Sequence, residues 1–226
     1  MDGISLATGR QESEFARREP AQVHLVDDDE RVRNAVGRLL RSHGYHVIAH
    51  ASGEGFLALH DPDAHGCVVL DVAMPGLDGP SLQRKLLEEG DGLPVIFLTG
   101  SADVPMCAAA MRNGAVDFLT KPVDEGELLR AITLALEHDV IRHLARNHQE
   151  MTESRLASLT PREREVLDHV MNGRLNKQIA SDLGTAEKTV KVHRARAMEK
   201  MRVRSVAELV RMVERAHPAV PRRGHA

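Results

Sequence analysis

The amino-acid sequence predicts an α/β domain built on a five-stranded, doubly wound parallel sheet, followed by a small all-α domain of four helices. Two patterns predict these folds. Five short apolar runs alternate with amphipathic segments between residues 21 and 138, as strands and helices do in an open parallel sheet. From Leu159 to Ala216 the apolar residues recur only at helical spacing. The charge agrees with this division, because residues 1–154 have a net charge of −11 and residues 155–226 have +8.

The predicted strands are continuous apolar runs of four or five residues, which are typical of strands covered on both faces. They lie at residues 23–26, 45–49, 67–70, 94–98 and 116–119. The segments between them place apolar residues three or four positions apart, as Val32, Val36 and Leu39 do. This spacing predicts helices packed against the sheet. We assign the α/β domain to residues 21–138.

A helical segment is predicted to join the two domains. No Gly or Pro occurs between Gly126 and Pro161, and an apolar stripe that includes Leu129, Leu136 and Leu144 continues beyond the α/β domain. We therefore expect a helical linker over residues 139–156, frayed near residues 147–154, and the all-α domain over residues 157–217. Residues 1–20 and 218–226 are expected to form a disordered extension and a tail.

The composition excludes several classes of protein. Cys67 and Cys107 are too few for a disulfide framework and do not have the spacing of metal ligands. Four Phe, one Tyr and no Trp offer few rings for stacking on single-stranded nucleic acid. No apolar run approaches the ~20 residues that span a bilayer, and no signal peptide is recognisable. We therefore expect a cytoplasmic protein with no membrane partner.

Charged and hydroxyl side chains follow four of the five predicted strands. In an open parallel sheet the carboxyl ends of the strands form the ligand-binding edge. The residues at this edge are Asp27, Asp28 and Asp29 after the first strand, Asp71 after the third, Thr99 after the fourth and Lys121 after the fifth. Clustered carboxylates repel one another unless a cation compensates them, and oxygen ligands favour Mg²⁺. A carboxylate beside such a cation can attack a phosphoryl donor, while Thr99 and Lys121 hold the phosphoryl oxygens.

Four segments of the chain resemble the signature motifs of two-component receiver domains, most closely those of the FixJ-like branch. The segments are VHLVDDDE (23–30), VVLDVAMPGLDG (68–79), VIFLTGSADVPM (95–106) and AVDFLTKP (115–122). They occur in the family's order and spacing. The resemblance implies a flavodoxin-like fold and Mg²⁺-dependent phosphorylation by a sensor histidine kinase.

The resemblance also implies roles for individual residues. Asp71 would accept the phosphoryl group, with Thr99 and Phe118 as a coupled switch pair. The metal site would consist of the acidic pair Asp27 and Asp28 together with Asp71, and the Mg²⁺ ligands would be Asp28, Asp71 and the backbone carbonyl of Ala73. A cis peptide bond is implied before Pro122.

Other interpretations of these residues remain open. Asp27 at a strand end also fits the DxD motif of haloacid-dehalogenase-like phosphatases, in which it would be the nucleophile of an enzyme. Against this, no acidic pair follows Lys121 on a later strand, and Asp71 would have no role. Phe118 could be a core aromatic residue without a switching role. Asp29 is better placed as the N-cap of the following helix than as a metal ligand.

The all-α domain contains a pattern typical of a helix-turn-helix. Two helical segments, residues 176–183 and 187–201, are joined at Gly184, and Thr185 is a candidate N-cap of the second segment. Val190, Ala197 and Met201 share the inward stripe of that segment. Its outward face consists of Lys188, Lys191, Val192 and Ala195, flanked by Arg194, Arg196 and Lys200. Cations and small apolar groups on one face suit a DNA major groove.

This domain resembles the LuxR/NarL/FixJ output domain in LTPREREVL (159–167), NKQIASDLG (176–184) and EKTVKVHRARAMEKM (187–201). The resemblance implies binding to double-stranded promoter DNA, with Lys191 and Val192 at base edges. The implied phosphate contacts are Asn176, Lys177, Lys188, Thr189 and Arg194. Relatives often carry a basic residue where Ala195 stands, so one expected contact is missing.

The two resemblances together predict a FixJ/NarL/LuxR-type response regulator and not an enzyme. Phosphorylation is expected to draw Thr99 inward, turn Phe118 and reshape a face that includes Val104, Met106 and Met111. We expect a phosphorylation-dependent homodimer through this face, which activates transcription by RNA polymerase. A protein-binding adaptor is the alternative to a DNA-binding regulator. Masking of the basic half by the acidic half before phosphorylation is a second mode of control.

Overall fold

The computed structural model describes residues 21–100 and 104–216 of the chain. The predicted extension, residues 1–20, and the predicted tail, residues 218–226, lie outside the described residues. The described residues form two compact units, divided between Arg142 and His143 inside a long helix.

The N-terminal unit is built on a five-stranded parallel sheet with the strand order β2-β1-β3-β4-β5. Its strands are β1 (Gln22–Val26), β2 (His46–His50), β3 (Gly66–Asp71), β4 (Val95–Thr99) and β5 (Asp117–Thr120). The predicted apolar runs were therefore placed correctly to within one residue at either end. This strand order confirms the predicted doubly wound, flavodoxin-like sheet.

Five helices flank the sheet in the described part of this unit. They are α1 (Glu30–Ser42), α2 (Gly53–Leu57), α3 (Gly79–Glu88), α4 (Val104–Arg112) and α5 (Glu125–Ala157). The Asp29 carboxylate accepts a hydrogen bond from the backbone N–H of Arg31 at 2.8 Å, which confirms that Asp29 is the N-cap of α1. Asp78 caps α3 in the same way.

Helix α5 is continuous over 33 residues, so the predicted fraying near residues 147–154 is wrong. Side-chain pairs one turn apart support the helix in this stretch. Arg146 donates to Glu150 at 3.0 Å, and Gln149 donates to Glu153 at 2.8 Å. Each such pair adds a few tenths of a kcal/mol, about 0.2–0.5, to the stability of the helix here.

Each face of the sheet is covered by its own apolar layer. Helices α1 and α5 cover one face, where Leu25, Val69 and Ile132 belong to the core. Helices α2, α3 and α4 cover the other face, where Phe56 and Phe97 are completely buried. Two covered faces explain why the strands appear in the sequence as unbroken apolar runs.

Gly79, the first residue of α3, allows that helix to approach the end of β3. A Cβ atom at Gly79 would lie 2.4 Å from the carbonyl oxygen of Asp71, and a side chain therefore has no room there. The Gly79 N–H donates to the carbonyl of Val72 at 3.1 Å. The loop after Asp71 is thus tied back to the strand from which it emerges.

Three histidines cluster on the α2 side of the sheet: His24 and His50 are buried, and the side chain of His60 is 4% exposed. The His24 Nδ1 and His50 Nε2 atoms are 3.1 Å apart, and the rings of His24 and His60 are 5.6 Å apart edge to face. Burial, together with the neighbouring imidazoles, lowers the pKa of His24 from 6.5 to about 4. His60 forms a hydrogen bond with the Asp91 carboxylate. His24 is therefore neutral near neutral pH.

The C-terminal unit contains four described helices that follow the end of α5: α6 (Pro161–Met171), α7 (Asn176–Asp182), α8 (Glu187–Lys200) and α9 (Val206–Ala216). Val190, Ala197 and Met201 are buried, which confirms the predicted inward stripe of α8. A reciprocal pair of hydrogen bonds between Thr160 and Glu163 caps α6. None of the described helices in either unit is both long and apolar enough to cross a bilayer.

The N-cap predicted for α8 is wrong. Ala186 occupies the N-cap position and makes no side-chain cap hydrogen bond. Gly184 adopts a φ of 61°, and the backbone N–H of Thr185 donates to the carbonyl of Ala180 at 2.9 Å. Thr185 is therefore part of the turn that closes α7, and the N-cap of α8 lies one residue later than predicted.

The buried His24 makes the stability of the N-terminal unit sensitive to acid. Because its pKa is lowered from 6.5 to about 4, the unfolded chain binds a proton in this interval that the folded chain excludes. The contribution of the neutral His24 to the free energy of unfolding is complete above pH 6.5 and is lost as the pH falls toward 4. Between about pH 7 and about pH 4.5 we expect the free energy of unfolding to fall by about 2–3 kcal/mol because of His24. The His24→Phe variant should not show this loss. Urea unfolding of both proteins across this range measures the difference.

The exposed His46 on β2 supplies the matched control. The His46→Gln variant should lose stability in acid as steeply as the parent protein. Equal slopes for the parent and His24→Phe would show that His24 does not cause the acid sensitivity.

Candidate acidic site and nucleic-acid interface

Three carboxylates meet at the carboxyl-terminal edge of the sheet. The side chains of Asp27, Asp28 and Asp71 each place an oxygen within 4.8 Å of the others. Asp27 and Asp71 are buried, and Asp28 is exposed. The register of β1 and β3 places Asp27 beside Asp71, because Val26 pairs with Leu70 and an aspartate follows each of them. Adjacent parallel strands thus bring distant residues of the sequence together.

Lys121 neutralises part of this cluster. Its Nζ atom lies 2.7 Å from Asp27 Oδ2 and 3.0 Å from Asp71 Oδ1. Burial alone would lower the pKa of Lys121, but the hydrogen bonds to Asp27 and Asp71 raise it above its ordinary value. The ammonium group is therefore firmly protonated. The peptide bond that follows it, before Pro122, is cis, as the receiver resemblance implied.

The two buried carboxylates differ in how far hydrogen bonds and the Lys121 cation compensate their negative charge. Asp27 is 0% exposed, accepts the N–H of Asp29 at 2.9 Å on its other oxygen, and holds the shorter bond to Lys121. Burial raises the pKa of Asp71, and the charge of Asp27 adds to this rise, although Lys121 opposes it. Asp71 is therefore the less compensated of the two carboxylates. This geometry does not favour the phosphatase interpretation, in which Asp27 attacks.

Thr99 and Phe118 lie on the neighbouring strands β4 and β5. Thr99 ends β4 and is buried, and its carbonyl accepts the backbone N–H of Lys121 at 2.6 Å. Phe118 is half-buried on β5, with its ring 5.9 Å from that of Phe97. Ala73 is exposed in the loop after β3. Residues 101–103 of the β4 motif lie outside the described residues.

Sequence reasoning missed three residues that support the site. Arg33 on α1 donates to the carbonyl of Asp27 at 2.6 Å, and the carbonyl of His50 accepts the N–H of Asp27 at 3.2 Å. Glu54 on α2 accepts the N–H of Leu77 at 2.9 Å and so restrains the loop that follows Asp71. Arg33 and Glu54 lie on helices and His50 is the last residue of β2, and no motif marked any of the three.

Helix α8 presents its predicted outward residues to solvent. Lys188, Lys191, Val192 and Ala195 are all exposed. Val192 is 44% exposed and is therefore accessible for contact with a ligand. Lys177 and Thr189 are also exposed. The predicted face is thus accessible, with two lysines around an apolar centre.

Several residues of this surface are already paired. Arg194 Nη1 donates to Asn176 Oδ1 at 2.9 Å, which joins two of the predicted phosphate contacts across α7 and α8. Lys191 Nζ lies 3.0 Å from Glu187 one turn earlier in α8. The exposed pair between Lys191 and Glu187 is weak and exchanges readily for a phosphate or a base. The half-buried His193 has no nucleophile among its described contacts.

Lys200 does not flank the outward face as the sequence pattern suggested. Its Nζ atom binds the carboxylate of Glu163 at 2.6 Å and the carbonyl of Ser158 at 3.0 Å. The hydrogen bonds from Lys200 and Thr160 lower the pKa of Glu163 to about 2. Lys200 therefore stabilises the start of α6.

Comparison with known proteins agrees with both sites. Residues 23–133 match the response regulator receiver domain family, and residues 157–213 match the bacterial regulatory proteins of the luxR family. The chain is 44% identical over 194 residues to nodulation protein W of Bradyrhizobium diazoefficiens, a match that covers 86% of each chain. It is 42% identical over 190 residues to the transcriptional regulatory protein FixJ of Rhizobium meliloti, which covers 84% of this chain and 93% of that one.

Solved structures give the same result. The response regulator StyR superposes with a TM-score of 0.76 at 45% identity, covering 87% of this chain and 99% of StyR. None of these matches supports the phosphatase interpretation, and none supports an adaptor without a DNA-binding domain. The chain belongs to the FixJ-like response regulators, transcriptional regulators in which a receiver domain is joined to a LuxR-type DNA-binding domain.

Proposed function

We propose that Asp71 accepts a phosphoryl group from a sensor histidine kinase, and that the phosphorylated protein dimerises and binds promoter DNA to activate transcription. The observation that carries this proposal is the arrangement around Asp71. It is the least compensated buried carboxylate of the cluster, and the protonated Lys121 lies 3.0 Å from it. A nucleophile and a fixed cation for the transferred group thus stand side by side.

The carboxylate cluster suits Mg²⁺. Three oxygens from Asp27, Asp28 and Asp71 lie close together, and Lys121 offsets only part of their charge. Asp28, Asp71 and the backbone carbonyl of Ala73 would bind the ion, with Asp27 as the second acid. When bound, Mg²⁺ would offset the remaining negative charge and polarise the phosphoryl donor.

The residues of the chain then carry out a simple displacement. A carboxylate oxygen of Asp71 forms a bond to phosphorus as the bond between phosphorus and the kinase histidine breaks, and the histidine departs. Lys121 binds one phosphoryl oxygen, and the Thr99 hydroxyl donates to another. The product is an acyl phosphate on Asp71. The protein assists its own phosphorylation but acts on no separate substrate.

The signal passes from Asp71 to the C-terminal unit through a dimer. Thr99 moves toward the phosphoryl group, Phe118 turns into the vacated space, and the face formed by α4, β5 and α5 changes shape. Met111 of that face is 46% exposed, and Met106 is also accessible; the side chain of Val104 lies outside the described residues. A phosphoryl group needs only to favour one of two states a few kcal/mol apart.

We assign the receiver to residues 21–138, the linker to residues 139–156 and the DNA-binding domain to residues 157–217. In a symmetric dimer two such domains would meet two half-sites about one DNA turn apart, or a multiple of it. Lys191 and Val192 would contact base edges, and Lys177, Lys188 and Thr189 would contact phosphates. The paired Asn176 and Arg194 would contact phosphates together.

Phosphorylation should depend on one aspartate. With Mg²⁺ and acetyl phosphate, the protein should gain one phosphoryl group, and Asp71→Asn should gain none. Asp28→Ala should bind Mg²⁺ much more weakly and react more slowly, because a metal ligand is lost. Intact-mass spectrometry and Mg²⁺ titration measure these effects. Phosphate uptake at Asp27 in the Asp71→Asn variant would overturn the assignment.

Loss of a base contact and loss of a phosphate contact should have different effects on DNA binding. Lys191→Ala and Val192→Ala should each reduce discrimination between specific and random DNA by about 1–3 kcal/mol. Lys177→Ala should weaken binding to both DNAs about equally and flatten the dependence on salt, because a phosphate contact is lost. Titrations at several salt concentrations provide the comparison. An equal loss on both DNAs for Lys191→Ala would make it a phosphate contact instead.

Sedimentation should show the switch directly. The mass of the full chain should double when acetyl phosphate and Mg²⁺ are added, and that of Asp71→Asn should not change. Thr99→Ala should still carry the phosphoryl group but dimerise weakly, since the hydroxyl that couples Asp71 to Phe118 is missing. A stoichiometrically phosphorylated protein that stays monomeric would contradict the proposed dimer.

A further inference from the structure

Helix α5 reverses its amphipathic character along its length. Over its first four turns the side that packs on the sheet is apolar, with Leu128, Ile132 and Ala135 in the core. The opposite side is polar and exposed, with Arg130, Thr133 and Glu137. This is the normal pattern of a helix that covers a sheet.

Beyond Asp139 the two sides exchange character. The side that continues from the core becomes polar, with Arg146, Gln149, Glu150 and Glu153. The side that continues from Arg130 and Glu137 becomes apolar. There Ile141 is 65% exposed, Leu144 is 49% exposed and Met151 is 54% exposed. A row of large exposed apolar side chains on one side of a helix is typical of an interaction surface.

The spacing of this row is that of a two-stranded coiled coil. Ile141, Leu144, His148 and Met151 follow one another at intervals of three, four and three residues, which places them on one side of a helix of 3.6 residues per turn. We refer to these four residues as the α5 seam. From Thr152 onward the helix packs within the C-terminal unit, where Arg155 donates to the carbonyl of Met201 at 3.2 Å. The seam thus ends where packing within that unit begins.

We propose that the α5 seam pairs in parallel with the α5 seam of a second copy of this chain, and that this coiled coil forms only in the phosphorylated dimer. The inference rests on the proposed dimer and extends it beyond the receiver. Its continuity with that dimer follows from Arg130, which pairs with Asp117 of β5 at 3.1 Å and so marks the side of α5 next to β5. Ile141 lies eleven residues after Arg130, close to three helical turns, on the same side.

The size of the seam explains why it would be conditional. Four side chains from each copy, at about 60 Å² of apolar surface each, bury roughly 500 Å² in all. Stable interfaces between proteins bury about 1,200–2,000 Å². The seam is therefore too small to hold two chains together alone. It adds to an interface that the α4-β5-α5 face begins.

His148 supports pairing with an identical chain. It is half-buried and occupies the third position of the seam. In a parallel, two-stranded coiled coil equivalent core positions meet, so two copies of His148 would lie side by side and could share a hydrogen bond. A single polar residue in such a seam fixes the register of the two helices.

Site-directed crosslinking tests the seam in the full chain. In a Cys107→Ser background, which leaves only the buried Cys67, Leu144→Cys and Met151→Cys place thiols on the seam. After addition of Mg²⁺ and acetyl phosphate, mild oxidation should yield several times more disulfide-linked dimer than without the donor. Glu153→Cys, on the opposite side of the same helix, is the matched control and should yield no increase.

A second measurement separates the seam from the dimer itself. Ile141→Glu should take up a phosphoryl group normally, yet raise the dimer Kd by about tenfold or more, because two carboxylates then face each other in the seam. Gln149→Glu, on the polar side, should leave the Kd unchanged. Circular dichroism checks that both variants keep the helix.

The outcomes distinguish the two proposals. If sedimentation shows the phosphorylated dimer but Leu144→Cys and Met151→Cys do not crosslink, the seam is wrong and the proposed function stands. If no dimer forms on phosphorylation, the proposed dimer fails and the seam fails with it. Crosslinking that is equally strong without the donor would overturn its dependence on phosphorylation.

Discussion

The site at the edge of the sheet depends on one buried cation between two carboxylates. Lys121 Nζ is within 3.0 Å of both Asp27 and Asp71, and without it two buried negative charges would stand on adjacent strands with no compensation. Such charges are costly in a protein interior unless they are paired or bind a metal. Lys121 lies closer to Asp27 than to Asp71, so it neutralises less of the negative charge of Asp71. A nucleophile and a metal ligand both require such a charge.

That constraint explains much of the surrounding architecture. The backbone of Asp27 is held from two sides, by Arg33 of α1 and by His50 of β2, and the loop after Asp71 is held by Gly79 and by Glu54. A rigid frame keeps like charges close together, which flexible loops would allow to separate. Thr99 and Phe118, the switch pair of the proposed function, sit on the neighbouring strands β4 and β5.

Helices α5 and α8 each have one apolar side buried in a core and further apolar side chains exposed to solvent. In α5 the apolar side faces the sheet first and turns to the opposite side beyond Asp139, which leaves Ile141 and Leu144 exposed. In α8 one side is buried in the helical core, and the other exposes Val192 among cations. Each exposed apolar group is consistent with a partner outside the single chain, a second copy for α5 and DNA for α8.

The sequence by itself determined the sheet, its strands and the members of the acidic site, because apolar runs identify buried strands and a parallel sheet gathers their carboxyl ends at one edge. Only the tertiary structure decided which charges pair. Lys200 binds Glu163 instead of flanking the outward face, Arg33 and Glu54 brace the site, and Thr185 closes a turn instead of capping α8. These outcomes depend on contacts between residues distant in sequence, or on turn geometry, and local periodicity carries no information about either.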